Sequence, residues 1–245
     1  MNRKFLICLL VLFILSACSG KKEQDDPIQG CDIVEDCGEQ SGVDENLSFK
    51  EAYETLNGVQ TPEGETIRTI SIPADHPYVK VQAEDIVDRI RNKETFYVYI
   101  GDELCPWCRS VIETATAVAN KAGVDTIYYV KVWDSEGNEL VRDRYKLEDG
   151  KPVKTVEGQQ AYYELLEQAA DFLDDYILED EKGNEVAVGE KRIYIPCFFY
   201  VENGRVLRYV TGISDQQEDA YQELDEILLS DEETIFDSFF GLPTK

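Results

Sequence analysis

Residues 99–113, YIGDELCPWCRSVIE, set Cys105 and Cys108 three positions apart in a 245-residue chain with only seven cysteines. Such a pair can be a metal clamp, a structural disulfide or a reactive dithiol, and its surroundings decide among them. Ahead of it, TFYVYI (95–100) has the β-branched and aromatic content of a strand. Behind it, Val111, Ile112, Ala115, Val118, Ala119 and Ala122 recur at helical spacing, and Gly123 stands where a C-cap belongs. TIYYVKV (126–132) reads as the next strand. The cysteines therefore lie in the crossover of a β–CxxC–α–β unit, at the start of its helix.

The first twenty residues, MNRKFLICLLVLFILSACSG, open with Arg3 and Lys4 and run apolar from Phe5 to Leu15. That run is shorter than the about 20 apolar residues a membrane span takes, and reads as a secretory signal. Leu15-Ser16-Ala17-Cys18 resembles the bacterial lipobox. On that reading residues 1–17 are a lipoprotein signal peptide, and Cys18 carries two acyl chains that anchor the chain to a lipid bilayer outside the cytoplasm. An ordinary cut near Ala17, with Cys18 incidental, is the alternative. Residues 18–48 read as a flexible tether, because SGKKEQDDPIQGCDIVEDCGEQSGVDEN nearly lacks large apolar residues. Its span is on the order of 30 Å. Cys31 and Cys37 lie within it, as a small local disulfide or a secondary redox pair; an oxidising compartment permits either.

The chain is 43% hydrophobic and 11% aromatic, enough for a real core. Its length suits one domain with insertions, expected over residues 49–230. The formal charge of −26 excludes nucleic acid as a partner, since neutralising phosphates takes clustered Lys and Arg. Excess acid serves solubility. A zinc site needs four ligands, and only a fold that gathered Cys105, Cys108, Cys197 and His76 could supply them. His76 reads as a surface loop residue, so no metal is expected, and no organic cofactor.

Elsewhere, Ile67–Ile72 alternates as a short strand and Ala83–Arg91 has helical spacing through Ile86, Val87 and Ile90. Residues 134–158 form a polar insertion, a hairpin or a short helix. Tyr162, Leu165, Leu166, Ala169, Phe172, Leu173, Tyr176 and Ile177 predict one long amphipathic helix. RIYIPCFFYVENGRVLRYVTG (192–212) predicts two strands around an Asn203-Gly204 turn. Ser214 and Gln217 form a capping box that opens a helix to about Leu228. Residues 231–245 are a tail or a short Phe-rich helix over 231–240.

Taken in order, strand, CPWC, helix, strand, long helix, a hairpin led by Ile195-Pro196 and a last helix resemble the thioredoxin fold over roughly residues 65–229. The resemblance implies an α/β fold with a central mixed β-sheet flanked by helices, carrying the insertion before the long helix. The run TFYVYIGDELCPWCR is also similar to the bacteriocin transport accessory proteins of Gram-positive bacteria. The implied activity is thiol–disulfide exchange on exported protein disulfides or thiols, with an unidentified redox partner. Cys105 would attack and Cys108 resolve. Pro106, Trp107, Ile195 and Pro196 would bind substrate, with Pro196 cis and Ile195 pairing with substrate backbone.

A cysteine at a helix N-terminus meets unpaired N–H groups that favour thiolate, so Cys105 is expected reactive and exposed, with Cys108 one turn deeper. Pro106 suits the first turn because it lacks a donor. One position departs from thioredoxin. The buried acid six residues before the first cysteine is replaced by Tyr99, and the nearer Asp102 and Glu103 are expected at the surface. Cys197 reads either as a small core residue or as a third thiol beside the pair. The competing class is a non-catalytic accessory module that uses this fold to dock a secretion or bacteriocin-export partner.

Overall fold

The computed structural model describes residues 48–134 and 137–241. The signal, Cys18, Cys31, Cys37 and the tether up to residue 47 lie outside the described residues. Ser48 accepts the Glu51 N–H (3.4 Å) while the Glu51 carboxylate accepts the Ser48 N–H (3.1 Å). This capping box opens α1 (Phe49–Thr55), whose Phe49 and Tyr53 share the buried face at i, i+4 spacing.

The chain continues through β1 (Tyr78–Val81), α2 (Ala83–Arg91), β2 (Phe96–Gly101), α3 (Pro106–Lys121) and β3 (Ile127–Lys131). Next come β4 (Arg144–Glu148), β5 (Lys151–Val156), α4 (Gln160–Ala169), β6 (Asp175–Glu179) and β7 (Glu185–Lys191). It closes with β8 (Cys197–Glu202), β9 (Arg205–Val210) and α5 (Glu226–Phe240). Among the described residues one five-stranded mixed sheet runs β1-β3-β2-β8-β9, parallel across β1, β3 and β2 and antiparallel across β8 and β9. Period-two alternation sorts the helices into two layers. Tyr97 meets Phe239 of α5 (ring centroids 5.7 Å) and Tyr99 meets Tyr53 of α1, so α1, α3 and α5 cover that face. Tyr128 points the other way, under Arg89 of α2 at 4.0 Å, and α2 joins α4 through Arg91–Glu164 (2.6 Å). No described helix is long and apolar enough to cross a membrane.

Four expectations change, and of the two alternatives for the insertion one is found. Residues 67–72 form no strand: Ile67 bonds the backbone of Gly58 and Val59, and side chains take backbone groups of the residues after it. Asn57 bonds both the N–H and the carbonyl of Ile70, Glu54 accepts from Ile72 N, and Glu113 accepts from Ser71 N. The insertion is a hairpin, β4–β5, paired antiparallel. The long helix stops at Ala169, and its expected second half enters a further hairpin, β6–β7. Phe172, Leu173, Tyr176 and Ile177 match helical spacing by coincidence. Tyr176 is instead an inward strand residue, buried beneath the Arg192 guanidinium at 4.0 Å.

The helix expected from Ser214 begins only at Glu226. Polar side chains compete for the backbone ahead of it: Gln216 N donates to Ser214 Oγ, Glu218 N to Gln222, and Tyr221 N to Asp219. Arg68 reaches across to the carbonyls of Ala220 and Gln222. Asp225 is the true N-cap, its Oδ1 accepting from Ile227 (2.9 Å) and Leu228 (3.0 Å). The expected boundary at residue 230 falls inside α5, which packs on α3 through Thr114–Glu232 and Lys121–Asp237.

Buried arginines fasten the hairpins beside the segment that leads to Pro196. Arg142 pairs with Glu139 (3.0 Å) and donates to Ile193 O (3.2 Å). Arg192 donates to Asp143 O at 2.8 Å.

Candidate functional site

Strand β2 ends at Gly101, and three residues carry the chain to Cys105, the N-cap of α3. Cys105 Sγ accepts the Cys108 N–H at 3.3 Å, and Pro106 occupies the first turn without a donor to strand. A sulfur that receives an amide N–H at a helix N-terminus is favoured as thiolate. Cys105 Sγ also donates to the Ile195 carbonyl at 3.9 Å, and Ile195 joins Pro196 through a cis peptide bond. Cys197 follows as the first residue of β8, opposite Ile100. Burial pushes the Cys197 thiol well up, nearby Cys108 adds to that, and Arg142 opposes it. The three cysteines are not joined by a disulfide.

The site is closed. Cys105 and Cys108 are each 0% exposed, and Trp107, Ile195 and Pro196 are buried, leaving Leu104 and Pro106 partly accessible at the rim. The expected exposure of Cys105 is thus corrected: the N-cap position is as described, but the segment ahead of Pro196 closes over it.

Asp102 and Glu103 are also buried rather than at the surface. Asp102 ties the turn together, accepting Leu104 N (3.0 Å) and Trp133 N (2.9 Å). Burial and the adjacent Glu103 push the Asp102 carboxyl well above its usual range, against Lys131 and those two amides. Glu103 brings its partners from β3, accepting from Lys131 Nζ (2.6 Å) and Tyr129 Oη (3.2 Å). Arg109 acts as a clamp. Its nitrogens go to the carbonyls of Tyr53, Glu103 and Arg68 and to the Asn57 side chain. Burial lowers its guanidinium to about 10.

Sequence reasoning missed Tyr53. Its hydroxyl lies 2.7 Å from that of Tyr99, buried in the core beside β2. The available signal was the Ser48–Glu51 capping box with Phe49 and Tyr53 on one face. His76 stands half-buried against Phe49, its Nδ1 accepting from Tyr78 N (3.3 Å). Among the described residues no group of three or more His, Cys, Asp or Glu side chains could hold a metal ion.

No family model matches the chain, and no curated protein matches it in sequence.

Proposed function

We propose that this chain is a thioredoxin-fold thiol–disulfide oxidoreductase, held outside the cytoplasm by a lipid on Cys18 and acting on exported proteins. One observation carries the reading: Cys105, at a helix N-cap, accepts the Cys108 N–H while facing the Ile195 carbonyl beside the cis Ile195–Pro196 bond. The sheet order, with the cysteine pair in a parallel crossover and β8–β9 as an antiparallel hairpin, is compatible with that fold. The reaction needs two sulfurs and no cofactor. Cys105 thiolate attacks one sulfur of a substrate disulfide and the other leaves as thiolate. Cys108 then attacks Cys105, closing the Cys105–Cys108 bond and releasing the first sulfur. Two electrons pass to the substrate.

The complete burial of Cys105 favours a second reading, an accessory module whose pair never meets a substrate. Insulin reduction by the purified protein separates the two. Catalysed precipitation that Cys105→Ala abolishes supports the oxidoreductase. A parent protein no faster than its Cys105→Ala variant makes the accessory module the better reading.

A further inference from the structure

Arg109 follows Cys108 directly and closes the first turn of α3 from both sides. Its backbone N–H donates to the Cys105 carbonyl at 3.0 Å, and its side chain donates to the Glu103 carbonyl at 3.2 Å. Both cysteines lie inside that bracket. Arg109 is 1% exposed, and a guanidinium sealed from water must place five N–H donors. Every donor finds an acceptor. Nη1 reaches Glu103 O and Tyr53 O (2.9 Å), Nη2 reaches Asn57 Oδ1 (2.7 Å) and Arg68 O (2.6 Å), and Nε shares Arg68 O (3.2 Å). These acceptors are carbonyl and amide oxygens, so the group works as a fork rather than as half of an ion pair.

On the far side of the fork is a strap, residues 49–72, that bonds itself together. Gly58 N donates to Ile67 O and Ile67 N to Val59 O, while Asn57 binds both backbone groups of Ile70. Glu113, one turn along α3, accepts the Ser71 N–H at 2.9 Å, so α3 grips the strap at i and i+4. The gripped turn holds the cysteines as free thiols. Cys105 Sγ accepts the Cys108 N–H and donates to the Ile195 carbonyl. The second bond needs a thiol hydrogen, which a disulfide lacks.

We infer that Arg109 is a positioning residue that locks the Cys105–Cys108 turn to the strap in the arrangement of the dithiol, and so raises the reduction potential of the pair. This deepens the oxidoreductase reading and rests on it. On reduction the Cys105–Cys108 bond breaks and two thiols form. The two electrons and two protons come from two thiols of the reductant, which leaves as a disulfide. A residue that holds the dithiol better than the disulfide makes the pair the stronger oxidant.

The test equilibrates the full chain with mixtures of reduced and oxidised dithiothreitol, quenches in acid, and reads the free Cys105 and Cys108 by alkylation and mass after unfolding. Arg109→Met is expected to shift the balance about fivefold towards the disulfide, the size of one hydrogen bond present in only one redox form. That is a potential about 20 mV more reducing. Arg109→Lys keeps the charge without the planar fork and is expected to follow Arg109→Met. Asn57→Ala removes one acceptor from the strap and shifts the balance less, in the same direction; it decides if the Arg109 variants fail to fold. A merely structural role lowers the stability of both redox forms alike, so an unmoved balance overturns the inference. An Arg109→Lys protein that matches the parent also overturns it, since charge alone would then suffice. Insulin reduction is read on the same parent protein. A shifted balance with an inert parent upholds the clamp and overturns the oxidoreductase reading; an unshifted one with an active parent does the reverse.

Discussion

Glu232 sits sealed between α5 and α3, with Oε2 accepting from Thr114 Oγ1 at 2.8 Å and Oε1 buried without a hydrogen-bond partner among the described residues. Burial pushes its carboxyl up to about 7, against the Thr114 bond and the Arg68 charge. The folded state thus keeps a proton that the unfolded chain releases near pH 4.5. Between those values the unfolded state binds fewer protons, so stability falls as pH rises, by about 3 kcal/mol in all. Urea denaturation from pH 4.5 to 8 should show that fall, and Glu232→Gln should flatten it. Equal slopes in both proteins would refute the assignment. At this scale the place of Cys105 and Cys108 at the start of a helix after a strand was legible, because the strand and helix patterns on either side are clear. Asp102 and Glu103 were placed outside because charge usually seeks water, and their burial depends on Lys131 and Trp133, close in space but distant in sequence.

Elements were legible where one face meets the core and the caps are local. β2, α3 and β3 lie within a residue or two of where pattern puts them, and the hairpin turns at Asn203-Gly204 as read, although its first strand starts at Cys197 rather than Arg192. The misreadings share a cause: apolar spacing records which residues face inward, and a hairpin can satisfy a helical spacing over two turns. Tyr176 does so under Arg192. The start of α5 offers a test by sign. At an N-cap, Asp225→Ala should destabilise the protein by about 1 kcal/mol. Inside a helix running on from Ser214, the same change should stabilise it by about 0.5 kcal/mol, since alanine is the better helix former. A thermal melt of the variant with unchanged circular dichroism distinguishes them, and a gain would restore the longer helix.

Across the whole molecule, one sheet holds the cysteine segment, and the two hairpins are pinned beside it by Arg142 and Arg192. That shielding was not readable from composition, because it depends on where β8 is laid against β2. Its result is a Cys105 sulfur with no accessible surface. A covered group reacts only while its cover is lifted, so two clocks compete, one for opening and one for chemistry. With dilute thiol reagent the labelling rate should climb in proportion to concentration. With concentrated reagent it should level off at a ceiling set by the protein alone, the same for a small alkylator as for a bulky aromatic disulfide. Mass spectrometry of the Cys105 peptide reads both regimes, and a rate that stays linear to the highest concentration would mean the sulfur is open. If the ceiling exists, any reaction at Cys105 is limited by the breathing of this fold, and loosening the hairpins would speed that reaction while weakening the protein.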